Sequence, residues 1–378
     1  MKKILSTTAL ASALVLSANY GYAQTTVTGQ LDLGYKAYQA KVAAGAKGSA
    51  SHRGATRETQ INVQNKGKLS NGIDYVAGFA WEIDGSESVS NAGTAANNDG
   101  TTHGAFSENT YINFISGNTT LHLGADHIQN PNFEITNLAG GVADIDDLVA
   151  ERRQAGNSAA SANSSLAAVH KTNDASSASQ AHGIGLIQNL GVARASIFYA
   201  PGGAAMANDG SANSLGTDSG QSQLEVMVRG DMGVKGLDAF IYRGNQKSDT
   251  PGTSGLAEDV TGMKYGLSYN FGQFSLAASQ SKVESIASVE AKTTSLGAAF
   301  AVNKELTIGL IHSKTSADGT ATTARSATAV PDEKLKAINI GYNLGPVVAN
   351  AVLVDSENVG GVTSTDPRVF FVNLTTKF

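Results

Sequence analysis

From Val27 onward the chain alternates apolar and polar residues in segments of about ten, separated by turn-forming residues. Val27, Leu31, Leu33 and Tyr35 fall on one face of the first segment, and Gln30, Asp32 and Lys36 on the other. Ile73, Tyr75, Ala77, Phe79, Trp81 and Ile83 share a face further on, as do Met263, Tyr265, Leu267, Tyr269 and Phe271. A period of two belongs to a strand whose faces meet different surroundings. Strands are predicted near 25–37, 56–67, 73–84, 107–115, 119–126, 182–189, 192–200 and 223–231. Eight more follow near 236–243, 261–271, 274–282, 292–301, 305–313, 334–344, 347–355 and 368–378, sixteen in all. No stretch approaches eighteen consecutive apolar residues, so no membrane-spanning helix is expected.

The gaps between these segments alternate in length. Short ones read Ser70-Asn71-Gly72, Gly117-Asn118, Leu190-Gly191, Val234-Lys235, Gly272-Gln273, Asn303-Lys304 and Gly345-Pro346. Gly and Asn supply the positive φ that tight hairpins need. Long ones fall near 38–55, 85–106, 127–181, 201–222, 244–260, 283–291, 314–333 and 356–367, and most are rich in Ala, Gly, Ser, Thr, Asn and Asp. One end of the structure is trimmed and the other elaborated, the layout of an antiparallel barrel with an even strand number. Hydrocarbon leaves exposed backbone groups unsatisfied, so a strand protein can cross it only as a closed sheet. One face of each strand then meets lipid, and the polar face a water-filled lumen. A charged fraction of 16%, against roughly 25% for soluble proteins, and a mean hydropathy of -0.12 fit strands that are apolar on one face only.

Residues 1–23 read as an address. Met1, Lys2 and Lys3 form a positive stretch, Ile4 to Leu16 an apolar one, and Gly21-Tyr22-Ala23 ends in small residues of the kind signal peptidase reads. The expected mature chain is 24–378, with a charge of -5 − 2 = -7 once two lysines leave. Zero cysteines exclude a disulfide framework and a thiol nucleophile. Mixed charge without a basic patch argues against nucleic-acid binding. Seven histidines, His52, His103, His122, His127, His170, His182 and His312, lack metal-ligand spacing. Asp144-Ile145-Asp146-Asp147 lacks the glycine and spacing of a calcium loop. There is no phosphate-binding Gly-rich loop and no nucleophile elbow. No enzyme, cofactor or metal is expected.

The chain ends on an alternating strand, with Phe370, Val372, Leu374 and Phe378 on one face. With Val27-Thr28-Gly29-Gln30-Leu31-Asp32, Gly67-Lys68-Leu69-Ser70-Asn71-Gly72, and Tyr111-Ile112-Asn113-Phe114 followed by Leu121-His122-Leu123-Gly124, the mature chain resembles the Gram-negative trimeric general porins. That resemblance implies an all-β, 16-stranded antiparallel transmembrane barrel in the bacterial outer membrane, with short periplasmic turns. It implies a homotrimer in lipid and lipopolysaccharide, latched by the second long loop, and Phe378 as an assembly signal. It also implies that the third long loop, 127–181, folds inward and narrows the pore. Acidic residues expected at that constriction are Glu134, Asp144, Asp146, Asp147 and Glu151. Lumen-facing positions expected on the early strands are Gln60, Asn62, Gln64, Lys66, Tyr111, Asn113, His122 and Asp126, where the family usually carries several arginines. The basic candidates are Lys36, Lys66, Arg194 and Arg229.

The function expected is a water-filled channel for passive diffusion of small hydrophilic solutes and ions. Two alternatives compete. A substrate-preferring channel on the same barrel would need an aromatic track in the lumen, which 6% aromatic content disfavours. A surface adhesin would use the polar loops as repeats, but no fixed period runs through them.

Overall fold

The computed structural model describes residues 23–41, 51–83, 105–125, 182–200, 221–248, 260–285, 289–317, 331–358 and 366–378. They form sixteen strands: β1 (Gln24–Lys41), β2 (Ser51–Lys68), β3 (Asp74–Ile83), β4 (Ala105–Ser116), β5 (Thr119–Ala125), β6 (His182–Asn189), β7 (Ala193–Ala200) and β8 (Gln221–Gly230). The second half comprises β9 (Leu237–Ser248), β10 (Val260–Phe271), β11 (Phe274–Ser285), β12 (Val289–Ala301), β13 (Leu306–Ala317), β14 (Glu333–Asn343), β15 (Val347–Glu357) and β16 (Asp366–Lys377). Each strand pairs with its sequence neighbours, and β1 pairs antiparallel with β16, so the sheet closes. Closure leaves no edge strand. At sixteen strands a barrel is wide enough for an aqueous channel.

All sixteen predicted strands are present, and most run further toward the long-loop end than the alternation indicated. β2 begins at Ser51 and β9 continues to Ser248, because their outer segments carry charged and polar residues that mask the period-two signal. At the opposite end the connections are tight. Gly117 (φ 56) and Gly272 (φ 69) take the left-handed conformation that their two-residue turns require. The hairpin between β8 and β9 is longer than expected, spanning 231–236, and Asp231 Oδ1 accepts a hydrogen bond from the Gly233 amide within it.

Register separates the two faces. Large apolar side chains stand exposed on the outside, among them Val27 (54%), Ile184 (56%), Leu296 (53%) and Leu310 (52%). Tyr35, Trp81, Tyr269 and Phe378 are exposed apolar residues of this face too, as their parity predicts. Near the short-turn end Tyr269, Phe271, Phe274 and Phe300 stack in series, with ring centroids 6.0, 5.8 and 4.8 Å apart. Toward the long-loop end the same face turns charged. Lys282 pairs with Glu284 and Glu290, Lys314 with Asp332, Lys334 and Lys336 with Glu357, and Arg368 with Asp355. Solvated pairs of this kind add little to stability. Their value as evidence is positional, because they mark where the apolar band stops.

The inner face departs from a uniformly polar wall. On β13–β16 the inward row includes Ile311, Leu335, Ala337, Val352, Val354 and Val369, all buried. On β7–β9 Phe198, Ala200, Met227, Phe240 and Tyr242 form a buried apolar cluster. β15 carries apolar residues on both faces through Val352-Leu353-Val354, so alternation alone could not show which side each residue takes.

The seam between the first and last strands depends on one glycine. The Gly29 N–H donates to the Phe378 carbonyl at 2.7 Å, and the Phe378 N–H donates to the Gly29 carbonyl at 3.0 Å. A Cβ on Gly29 would lie 2.3 and 2.6 Å from Cζ and Cε2 of the Phe378 ring. The ring therefore covers a position that has no side chain. Gly29→Val should displace it and cost about 1–3 kcal/mol through overpacking, seen as a lower urea midpoint. Gly54→Ala, where an added Cβ would meet nothing within 4 Å, should leave the midpoint unchanged.

Candidate functional site: the inner face of the barrel

Because every second residue of each strand points inward, cross-strand register lines up the residues of one inner row. On β1 and β2 Gln60 stands opposite Gln30, Asn62 opposite Thr28, Gln64 opposite Thr26 and Lys66 opposite Gln24. Gln64 Nε2 donates to the Tyr111 hydroxyl at 2.9 Å, which ties β2 to β4 across the small residue Gly78. Asn113 stands opposite His122, and its Oδ1 lies 2.7 Å from His122 Nδ1. The His122 ring is buried, stacked against Tyr111 with centroids 6.1 Å apart, and it meets Phe198 at the same separation. Lys36 belongs to the same face, opposite Gly54 and Phe371. The side chains expected to line the early wall thus share one surface. Gln60, Asn62, Gln64, Tyr111 and Asn113 are half-buried, Lys66 is exposed and His122 is closed off.

Arg194 and Arg229 lie on the inner face as well, directly opposite each other on β7 and β8 beside the short turns. Arg229 is held by Asp238 of β9, its Nε 2.8 and 3.0 Å from the two carboxylate oxygens. Asp126 and the loop residues Glu134, Asp144, Asp146, Asp147 and Glu151 lie outside the described residues.

Register adds partners to inner positions that alternation had already marked, such as Asp32, and adds positions that it had not. Asp32 stands opposite Glu58, and Gln60 opposite Glu82. Glu108 occupies the position opposite Ala80 because the β3–β4 register shifts between Gly78 and Ala80. Two residues of β3 there span three of β4, a β-bulge that returns Glu108 and Tyr111 to the same row despite their odd spacing. Counting by twos from Tyr111 assigns Glu108 to the other face. Register thus sets the backbone positions of Glu58, Glu82 and Glu108 on the inner row that Lys36 and Lys66 share.

Exposure also varies around the wall. Inner residues of β1 and β2 retain contact with solvent, whereas on β12–β14 nearly all are buried. There hydroxyls pair with each other, Thr293 with Thr315 at 2.8 Å and Ser295 with Ser313 at 2.9 Å. The hydroxyls of β12 and β13 on that arc bond each other, Asn339 of β14 is buried without a side-chain partner among the described residues, and the amides of Gln60, Asn62 and Gln64 on β2 keep contact with solvent.

An apolar outside, a polar arc inside and a closed sixteen-strand sheet describe a conduit, and the comparisons agree. The chain is similar over 94% of its length to the anion-selective porin from Comamonas acidovorans, covering 100% of that chain at 18% identity with a TM-score of 0.61. It is similar over 94% of its length to the outer membrane channel DcaP of Acinetobacter baumannii, covering 97% of that chain at 13% identity with a TM-score of 0.60. Salmonella typhi OmpF, solved as a complex with daunomycin, matches over 94% of this chain and 98% of its own at 11% identity with a TM-score of 0.56. No curated protein sequence matches the chain. The profile described as Gram-negative porin matches residues 6–361. The chain belongs to the Gram-negative porin family, outer-membrane channels for passive diffusion of small solutes.

Proposed function

We propose that this porin is a general diffusion pore with a mild cation preference. The observation that supports the reading is the register of β1–β4, which sets the positions of Asp32 and Glu58 opposite each other and those of Glu82 and Glu108 along the same inner row. Carboxylates along a narrow water-filled passage concentrate cations. Glu134, Asp144, Asp146, Asp147 and Glu151 of the 127–181 loop add the same sign at the constriction. Gln60, Asn62 and Gln64, with Tyr111 and Asn113, supply a neutral hydrogen-bonding wall for hydrated solutes. Phe198, Phe240 and Tyr242 are buried, so they offer no exposed aromatic track, which favours size selection over a saturable sugar or drug site. The absence of catalytic motifs from the sequence agrees with a channel that performs no chemistry.

In this reading the signal peptide leaves after Ala23, and Phe378 marks the last strand for assembly. The trimer follows from the family resemblance. The belt of Lys282, Lys314, Lys334, Lys336 and Arg368 on the outer face, interleaved with carboxylates, suits the phosphate level of lipopolysaccharide.

Reversal potential in a potassium chloride gradient tests the selectivity. The unmodified channel should favour potassium, and the preference should fall as salt screens charges over about 10 Å at 0.1 M. Replacing Asp144, Asp146 and Asp147 together with asparagine should weaken the preference without closing the pore. Lys66→Glu, which adds a carboxylate to the β2 wall, should strengthen it. An unmodified channel that favours chloride would assign the field to the basic residues instead.

A further inference from the structure

Arg194 and Arg229 are direct cross-strand partners on the inner face. Like charges in that relation repel and cost stability, so their juxtaposition asks for an anion. Asp238 grips Arg229 through both carboxylate oxygens, while Arg194 is exposed and has no ion-pair partner among the described residues. The next position in the row, opposite Arg194, is Asn189. Its Oδ1 accepts from the Gly191 amide at 2.9 Å, so the carboxamide oxygen is occupied and its N–H donors remain. This rung therefore combines a guanidinium paired with Asp238, a guanidinium without an ion-pair partner among the described residues, and an amide donor. It sits where β6, β7 and β8 meet the short turns, at the opposite end of the barrel from the long loops.

We infer that this rung is an anion subsite at the short-turn mouth of the channel, suited to a small oxyanion such as a phosphate group. The planar guanidinium presents paired N–H donors in a spacing that matches two oxygens of one oxyanion. Asp238 sets the strength of the site, because it competes with the bound anion for Arg229. A short-turn mouth that holds anions and a wall that favours cations act in series. Solutes carrying phosphate would then linger at this end, and simple salts would pass with the selectivity of the wall beyond it.

The inference rests on the channel reading, and one experiment separates the two. The refolded full-length mature protein is placed in a planar bilayer in potassium chloride, and inorganic phosphate is added to one side at a time. Phosphate should reduce the current saturably from the short-turn side only. Arg194→Gln should raise the half-blocking concentration about tenfold, the loss of one charge-assisted hydrogen bond. Asp238→Asn, which releases Arg229, should lower it severalfold. Lys235→Gln, a cation of the adjoining turn outside the pair, should leave it where it was. Folding of each variant is checked by its heat-dependent gel mobility, and Arg194→Lys, which keeps the charge but loses the fork, should block with intermediate strength. Equal block in unmodified protein and Arg194→Gln would overturn the subsite, as would an Asp238→Asn channel with unchanged or weaker block. A silent bilayer would instead overturn the channel reading.

Discussion

A backbone amide facing hydrocarbon has no water to bond, and leaving it unpaired costs several kcal/mol. Sixteen strands resolve this by pairing each with two neighbours, and the last pairing, β1 with β16, removes the two edges that would remain. That pairing runs twelve residues, from Gln30 opposite Lys377 to Lys41 opposite Asp366, and the Gly29–Phe378 bonds extend it by one rung. The lipid-facing leucines and valines, the inner rows and the order of the turns all presuppose a closed cylinder. Opening the seam would expose backbone donors and acceptors along both strands together.

Closure also fixes how the inner surface is divided. Register carries the hydroxyl pairs of β12 and β13 to one arc and the amides of β1 and β2 to another. On the first arc the hydroxyls of Thr293 and Thr315, and of Ser295 and Ser313, bond each other and are buried. On the second, Gln60 stands opposite Gln30, and Asn62 and Gln64 opposite threonines, with solvent contact, and acidic positions are interleaved among them. A solute crossing the barrel meets the second arc. The family assignment gives the barrel its role as a diffusion channel, and the uneven wall gives this member its own character.

Much of this was legible from periodicity. The strand count, the tight-turn end and the outward set of Tyr35, Trp81, Tyr269 and Phe378 all follow from a period of two and the position of Gly and Asn, since both express local geometry. What escaped was non-local. The bulge between β3 and β4 shifts parity, so Glu108 could not be assigned by counting from Tyr111. The inner valines of β15 were indistinguishable from its outer residues because both sets are apolar. The charged outer ends of β11, β13 and β15 read in part as loop, because ion pairs such as Lys314–Asp332 occur on either side of a strand boundary. The Arg194–Arg229 juxtaposition joins residues thirty-five apart in sequence and is visible only through register.

The most direct test of a lipid-outside, water-inside cylinder is thiol accessibility along one strand. The chain has no cysteine, so each residue from Gln60 to Gln64 on β2 can be replaced singly and the protein inserted in liposomes. A charged, membrane-impermeant thiol reagent should label Gln60→Cys, Asn62→Cys and Gln64→Cys and spare Ile61→Cys and Val63→Cys. Uniform labelling, or labelling of positions 61 and 63 in place of the others, would contradict the barrel's orientation of its two faces.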